Sequence, residues 1–513
     1  MKRRLLLSLA LFSTVAVYAQ NYVPDSSFYF SGVRNYNVYS NIDRSFGVAV
    51  QPDGKFVAVG LSKNPGTTYF ELCFSRFNTD GSLDNSFASG GVRKVSMGSQ
   101  QSIGGQAPKV KRDSEGRFVA CNAGNSGSGG LDMMICRLDS TGNLDNTFNG
   151  TGVLFVDMAG SGNFPDLGSA IDFDASGNIW IAGVTRNGGS PFDNQFAVVK
   201  VKPDGTLDPT FDNDGKKLFN LTSGSEFGLG VAVQSDSKIV VGGTAGGGMY
   251  LFRIDSAGVL DLTFNTTGTR LISIGSFSAM LDLELDSLER IVVYGSSGSG
   301  VLGMARVQPN GNLDSTFAIN GIKTLSIGSQ NSEPGEIEIV AGNKVLLSGT
   351  VTTTTGADDF FVARLKENGG LDSTFNGVGY TSHRIAAGSS NDQAAAMGVF
   401  SDGKIIVSGT TVFSSAVNED MAFLKLKPVA AITGISSVNN ETLELLYPNP
   451  AHNFITVNCR RELMVTISNM LGQVLINTAL HSGINTIDVS SLTDGTYILN
   501  DASSGSAIRF VKQ

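Results

Sequence analysis

The 513-residue sequence predicts an all-β protein: a seven-bladed β-propeller closed by its own N-terminal strand, followed by a small C-terminal β-sandwich domain. Three observations predict it. Short apolar runs alternate with clusters of Gly, Asn, Asp and Ser, and 63 glycines leave few helix-period stripes. Three marker segments recur along the chain, and such repetition overrides any domain count based on length. One of the three is displaced by a whole copy, and that copy stands at the front of the chain.

Taken in order, Lys2, Arg3 and Arg4 precede an apolar run from Leu5 to Val17, which ends in Val17-Tyr18-Ala19. This is the pattern of a signal peptide over residues 1–19, with Gln20 first in the mature chain. At about 13 residues the run is too short to span a bilayer, and no later segment reads as a membrane helix.

The first marker is a turn followed by an apolar strand ending near a small residue. It is found at Asp53, Glu115, Ser176, Asp236, Leu288, Gly342 and Asp402. The second is an apolar strand with one cation: Arg76, Arg137, Lys200, Arg253, Arg306, Arg364 and Lys425. The third, Leu-Asp-x-x-Phe, has its Asp at 84, 145, 208, 261, 314 and 372, always eight residues after the cation, and then stops. Its missing copy is Asp25–Phe28. From Asp25 to Asp84 is 59 residues, within the 53 to 63 that separate later copies. A ring of four-stranded sheets needs such an exchange between its ends, because it leaves no unfinished sheet. Residues 20–428 therefore read as seven blades, and Asp25 and Lys425 as the pair that closes the ring. The Phe of the third marker is expected to pack between blades. Asp113–Arg117 and Asp286–Arg290 lack the Pro-Asp-Gly turn of the first repeat, so those two hairpins are the least certain to form.

QPDGKFVAVG at Gln51, VKPDGTLDPTF at Val201 and VQPNGNLDSTF at Val307 resemble the delta-60 repeats of bacterial propeller-type proteins. That resemblance implies an exported or surface protein and no common chemistry. After a linker over 429–443, residues 444–513 carry Tyr447-Pro448-Asn449-Pro450, an Asn-Met-Leu-Gly-Gln-Val-Leu segment at Asn469, Leu492 to Tyr497 with Gly495, and a basic-aromatic end. Alternating strands and Gly turns suggest a sandwich. The segment resembles the C-terminal sorting domain of type IX secretion substrates. The resemblance implies passage through the periplasm and across the outer membrane, with the type IX machinery as partner and a secreted or surface destination. Asn500 and Asp501 interrupt the apolar run usual there and make the last hairpin's register an open point.

The charge of −9 and pI of about 5.0 argue against a nucleic-acid partner. No catalytic motif, cofactor signature or metal-ligand spacing is found, and of three His residues two fall in the tail. Cys121 and Cys136 read as small buried hydrophobes, a cross-strand disulfide being the alternative. In the innermost strands, Ala49, Lys111, Asp172, Ala232, Glu284, Glu338 and Gly398 align in a column that is small or charged, each after an apolar residue. Lys111, Asp172, Glu284 and Glu338 are thus expected to line a central channel, either solvated or holding a cation or polar group. The function read from this pattern is a non-enzymatic surface interaction protein that binds a glycan or protein through its loop faces. The alternative is a polysaccharide hydrolase or lyase using paired carboxylates such as Glu284 and Glu338.

Overall fold

The computed structural model describes residues 20–513 apart from 40–41, 67–68, 99–106, 128–129, 159–164, 188–192, 276–277, 299, 329–330, 387–390, 413–418, 431–442, 460, 471 and 502–506. The leader lies outside the described residues. Two compact units divide the chain, one running to Val429 and the other from Ala430 to Gln513. Every described element is a β-strand.

In the larger unit each repeat is a meander of four antiparallel strands, such as Asp43–Val50, Phe56–Lys63, Phe70–Phe77 and Val92–Ser96. Five such sheets stand alone. Two further four-stranded groups are joined by one parallel pair, Asp358↔Asn391, into a nine-stranded sheet that also includes Gln20–Pro24. The fourth strand of the last group is Val33–Tyr36, paired with Glu419–Ala430 in the register Val33↔Leu424 to Tyr36↔Met421. The Asp25 N–H donates to the Lys425 carbonyl at 2.8 Å.

The small residue that ends the first marker has a steric cause. In six of the meanders the first strand bulges, for instance between Met280 and Asp282 and between Ser45 and Gly47. The bulge turns a carbonyl toward the second strand. A Cβ on Gly60, Gly183 or Gly243 would lie 1.8 Å from that oxygen, and one on Gly295 1.9 Å from it. Only glycine fits there.

Consecutive sheets pack face to face through shared apolar clusters, one of which mixes Val57 and Phe74 with Phe118 and Met134. The Phe of each third marker is fully buried, a contribution of about 1.5–3 kcal/mol apiece. Five sit against the turn glycine of the next sheet: Phe87 on Gly142, Phe148 on Gly205, Phe211 on Gly258, Phe264 on Gly311 and Phe317 on Gly369, while Phe375 stacks on Tyr22. Phe28 sits on Gly81 in the same way. Phe28, Phe56, Phe77, Phe400 and Phe423 form a cluster between the last group and the first sheet.

The paired charges knit the same joints. Arg76, Arg137, Lys200, Arg306 and Arg364 meet the Asp eight residues on at 2.7 to 2.9 Å, as does Arg253 at 2.9 Å. Arg76 also donates through Nη1 to the Ser140 carbonyl in the next sheet's turn, and Arg253 and Arg306 reach Pro309 and Glu367 likewise. The seventh pair departs from the expectation. Lys425 Nζ donates to the Thr79 carbonyl of the first sheet at 3.0 Å, while the Asp25 carboxylate pairs with Lys427 at 3.4 Å. An ammonium has no fork with which to hold a carboxylate and a carbonyl together. It takes the carbonyl and lies between the Phe28 and Phe400 rings.

Both drifted hairpins form, and by one device. Asp113 accepts the N–H groups of Glu115 and Arg117 while pairing with the Arg117 guanidinium at 2.7 Å. Asp286 does the same with Leu288 and Arg290, at 2.6 Å. Cys121 and Cys136 are free and belong to apolar clusters on opposite faces of their sheet. Each is a buried hydrophobe, and the cross-strand disulfide is not formed.

The smaller unit stacks a three-stranded sheet, Leu443–Tyr447, Phe454–Cys459 and Gly483–Asp488, on a four-stranded one containing Leu463–Asn469 and Gly495–Asp501. Ile455, Val457, Val465, Ile467, Leu499 and Phe510 fill the space between them. The last hairpin runs in unbroken register from Gly495↔Lys512 to Asn500↔Ala507. Asn500 and Asp501 are therefore accommodated as ordinary strand residues.

Candidate functional site

After each bulge, alternate residues of the first strand face a common passage, because successive side chains point to opposite faces. First strands of neighbouring sheets pack side by side, including Asn391–Val399 against Asp43–Val50. They bring Lys109, Lys111, Asp282, Glu284 and Glu336 to the wall of a cavity of about 40 Å³, with Ala170 and Gly230 between them. Asp172 joins through Lys111, at 3.1 Å, and Glu338 lies within the field of Glu284 and Glu336. All four residues of the aligned column, Lys111, Asp172, Glu284 and Glu338, thus share one electrostatic cluster. Three further members, Lys109, Asp282 and Glu336, were missed. Each stands two residues before a column position, so the strand's own period of two was the signal that would have found them.

Most of the cluster is engaged in holding strands together. Asp172 accepts the Val233 N–H of the next sheet at 2.8 Å, Asp282 accepts Ile337 N–H at 3.0 Å, and Glu336 accepts Met397 N–H at 2.7 Å. Lys109 reaches Glu336 at 3.3 Å. Burial works against both ammonium groups, yet Asp172 and Glu284 beside Lys111, and Glu336 and Asp282 beside Lys109, hold their pKa values above the ordinary lysine range. Glu284 and Glu338 are different. Neither takes a hydrogen bond within the described residues. Burial, with neighbouring carboxylates, pushes Glu284 up to about 7 and Glu338 well above its usual value. Burial and the Glu336 charge raise Asp282 to about 6.

Trp180 is buried edge-on to Phe211. His383 is bonded to Thr381 at 2.9 Å and offers no base to the passage. Asp132, Asp157 and Asp166 bring carboxylate oxygens within 4.8 Å of one another. Asp166 is already bonded to Thr185 and to the Met158 N–H.

In the smaller unit Tyr447, Pro448, Asn449 and Pro450 form a turn with two cis peptide bonds, before Pro448 and before Pro450. Asn449 accepts the Val511 N–H at 2.9 Å, which ties the turn to the final strand. Tyr497 stacks on Phe510 and donates to the Thr493 carbonyl at 2.7 Å. Gly495 opens the strand that carries it. These motif residues build the sandwich.

Repeated four-stranded meanders around a polar passage, with a separate sandwich, define the class: an all-β repeat protein of the propeller type carrying a β-sandwich tail. The comparisons name both parts. Residues 51–87, 175–211, 234–264, 290–317 and 343–375 match the β-propeller domain of unknown function DUF5122, and residues 445–512 match the secretion system C-terminal sorting domain. The chain thus carries delta-60-like propeller repeats and a type IX sorting domain, and that domain directs export to the cell surface or the medium. No curated protein matches the chain. Among solved structures, a virginiamycin B lyase from Staphylococcus aureus is similar at 15% identity and a TM-score of 0.45, over 77% of this chain and 99% of that one. A fungal alcohol oxidase is similar at 12% and 0.45, over 94% and 98%. PorZ, a surface component of the type IX system of Porphyromonas gingivalis, is similar at 10% and 0.27, over 93% and 82%.

Proposed function

We propose that the mature chain is a non-enzymatic interaction protein, delivered by its tail, whose residues 20–428 form seven blades closed by the N-terminal strand. Residues 1–19 are its signal peptide, 429–443 its linker and 444–513 its sorting domain. The observation that carries the reading is the recurrence of one joint. A main-chain bond runs from the residue after the marker Phe to the next sheet's turn, as in Ala88 N–H to Thr141 and Asn149 N–H to Asp204, and it recurs from Tyr29 N–H to Asp80 at 2.8 Å. A ring puts its loops on two broad faces, where protein or glycan partners dock.

A polysaccharide hydrolase built on Glu284 and Glu338 is disfavoured by size. The cavity that Glu284 lines holds about 40 Å³, whereas ligand pockets run to roughly 300–1,000 Å³. The test is to screen the chain from Gln20 against glycans and matrix proteins, with a depolymerisation assay in parallel. Saturable binding without bond cleavage is expected. Cleavage of any polysaccharide that survives in an active-site-blind control, such as Glu284→Gln with Glu338→Gln, relocates an enzyme to the outer faces and overturns the non-enzymatic reading.

A further inference from the structure

Five joints between sheets are closed by an arginine of the chain itself. Its Nε donates to the Oδ2 of the marker Asp and its Nη2 to the hydroxyl two residues after that Asp. Arg76 does so with Asp84 at 2.8 Å and Ser86 at 3.2 Å, and Arg137, Arg253, Arg306 and Arg364 repeat the pattern. In two of these joints a lysine from the first hairpin reaches the same Oδ2, Lys55 at 2.8 Å and Lys344 at 2.8 Å.

At the seam between the last group and the first sheet, neither kind of cation takes that oxygen. Lys425 stands in the arginine's place and gives its ammonium to the Thr79 carbonyl. Lys404, the counterpart of Lys55, is held by Asp402 at 2.5 Å. The Asp25 side chain is 3% exposed, and Ser27 and Lys427 meet it through Oδ1. Among the described residues its Oδ2 and the Ser27 hydroxyl oxygen receive no hydrogen bond. Both residues line a cleft of about 260 Å³. A lysine alone does not leave an Asp in this state: Lys200 keeps Asp208 at 2.8 Å, and the Trp180 ring lies beside its ammonium at 5.2 Å.

We infer that the seam cleft binds the guanidinium group of an arginine that the chain does not itself supply. A guanidinium entering edge-on offers two parallel N–H groups, one for Asp25 Oδ2 and one for Ser27 Oγ, which is the pairing Arg76 makes with Asp84 and Ser86. The wall carries Asp25, Asp80 and Asp402 against Lys404 and Lys425, three carboxylates to two ammonium groups, so a cation is admitted. The volume lies below the roughly 300–1,000 Å³ of pockets for larger ligands and suits a single side chain. The inference rests on the contacts of the seam and not on the partner proposed for the outer faces, so either can fail alone.

The experiment is calorimetric titration of the chain from Gln20 with acetyl-arginine-amide, with free L-arginine and with acetyl-lysine-amide. One saturable site is expected for an arginine compound and none for the lysine compound, whose ammonium has no fork. Binding of the blocked form assigns the source to a polypeptide, and binding of free arginine alone assigns it to the amino acid. Asp25→Asn should weaken binding about tenfold or more, since a charge-assisted pair becomes a neutral one. Circular dichroism checks that this variant is folded, and Ser27→Ala, with the same direction expected, serves if it is not. Lys425→Arg should place a guanidinium in the cleft from within, abolish binding and raise Tm. Absence of saturable heat with both arginine compounds overturns the inference. So does equal binding of the lysine compound, or binding that persists undiminished in Lys425→Arg.

Discussion

At the residue scale, an arginine in this fold does three jobs with one planar group. Arg306, 1% exposed, holds Asp314 at 2.7 Å, the Thr316 hydroxyl at 3.2 Å and a carbonyl of the next sheet. Arg306→Met takes the nearest cation from a buried carboxylate that keeps Thr316 and the more distant Arg290 at 3.6 Å, and a loss of about 3 kcal/mol is expected in urea melts. Adding Asp314→Leu should recover much of it. A second set of buried acids begins the first strands and caps the crossover before them. Asp166, beside Met158, is raised by burial to about 6, and burial raises Asp43, Glu226 and Asp392 as well. Their folded pKa lies above the unfolded value of about 4, so the stability they confer is complete below that pH and is lost as pH rises through the folded values, about 6 for Asp166. Asp84, Asp261 and Asp372 run the other way. Burial opposes them, but Lys55, Thr263 and Lys344 respectively, among other donors, keep their carboxyls low. Their stability is lost as pH falls below about 4. Stability should therefore peak at about pH 4–5, and Asp166→Asn should flatten the descent toward pH 6. A steady rise from pH 4 to 7 would contradict this.

At the scale of the element, the bulge and its facing glycine form one unit. Gly295→Ala would drive a Cβ to 1.9 Å from the Ala279 carbonyl. A cost of about 1–3 kcal/mol or more is expected, read as a lower urea midpoint. Strand positions were legible because apolar runs and turn residues alternate at fixed spacing: Phe70–Phe77 begins and ends where its sequence pattern does. The bulge was not legible. It arises from how a strand bends in three dimensions, and Gly60 read only as a small residue. The drifted turns hid for a different reason. Asp113 with Arg117 replaces backbone preference by a side-chain pair, which turn composition does not register.

For the whole molecule, the out-of-step marker was the most informative feature of the sequence, since it placed Asp25–Phe28 beside the last repeat. Which lysine meets Asp25 was not legible, because Lys425 and Lys427, two residues apart on one strand, share a face. Half of the channel was legible, in that an aligned column reports one level of side chains and is silent on the level two residues away. If the ring closes as proposed, Asn37→Cys with Asp420→Cys should crosslink readily on mild oxidation, since these side chains already touch at 2.7 Å across the seam. The product would migrate as a compact monomer on a non-reducing gel. Failure to form it, or formation only between molecules, would count against closure.

The strand Val33–Tyr36 meets its partners at Met421–Leu424. It is thus made near the start of synthesis and cannot be completed until almost 400 residues later. Contacts between such distant segments form slowly. The final meander must then be the last part of the large unit to mature, with its bare edge exposed in the meantime to pairing with a neighbouring chain. High local concentration during folding should consequently favour exchanged dimers, in which Val33–Tyr36 of one molecule pairs with Met421–Leu424 of another.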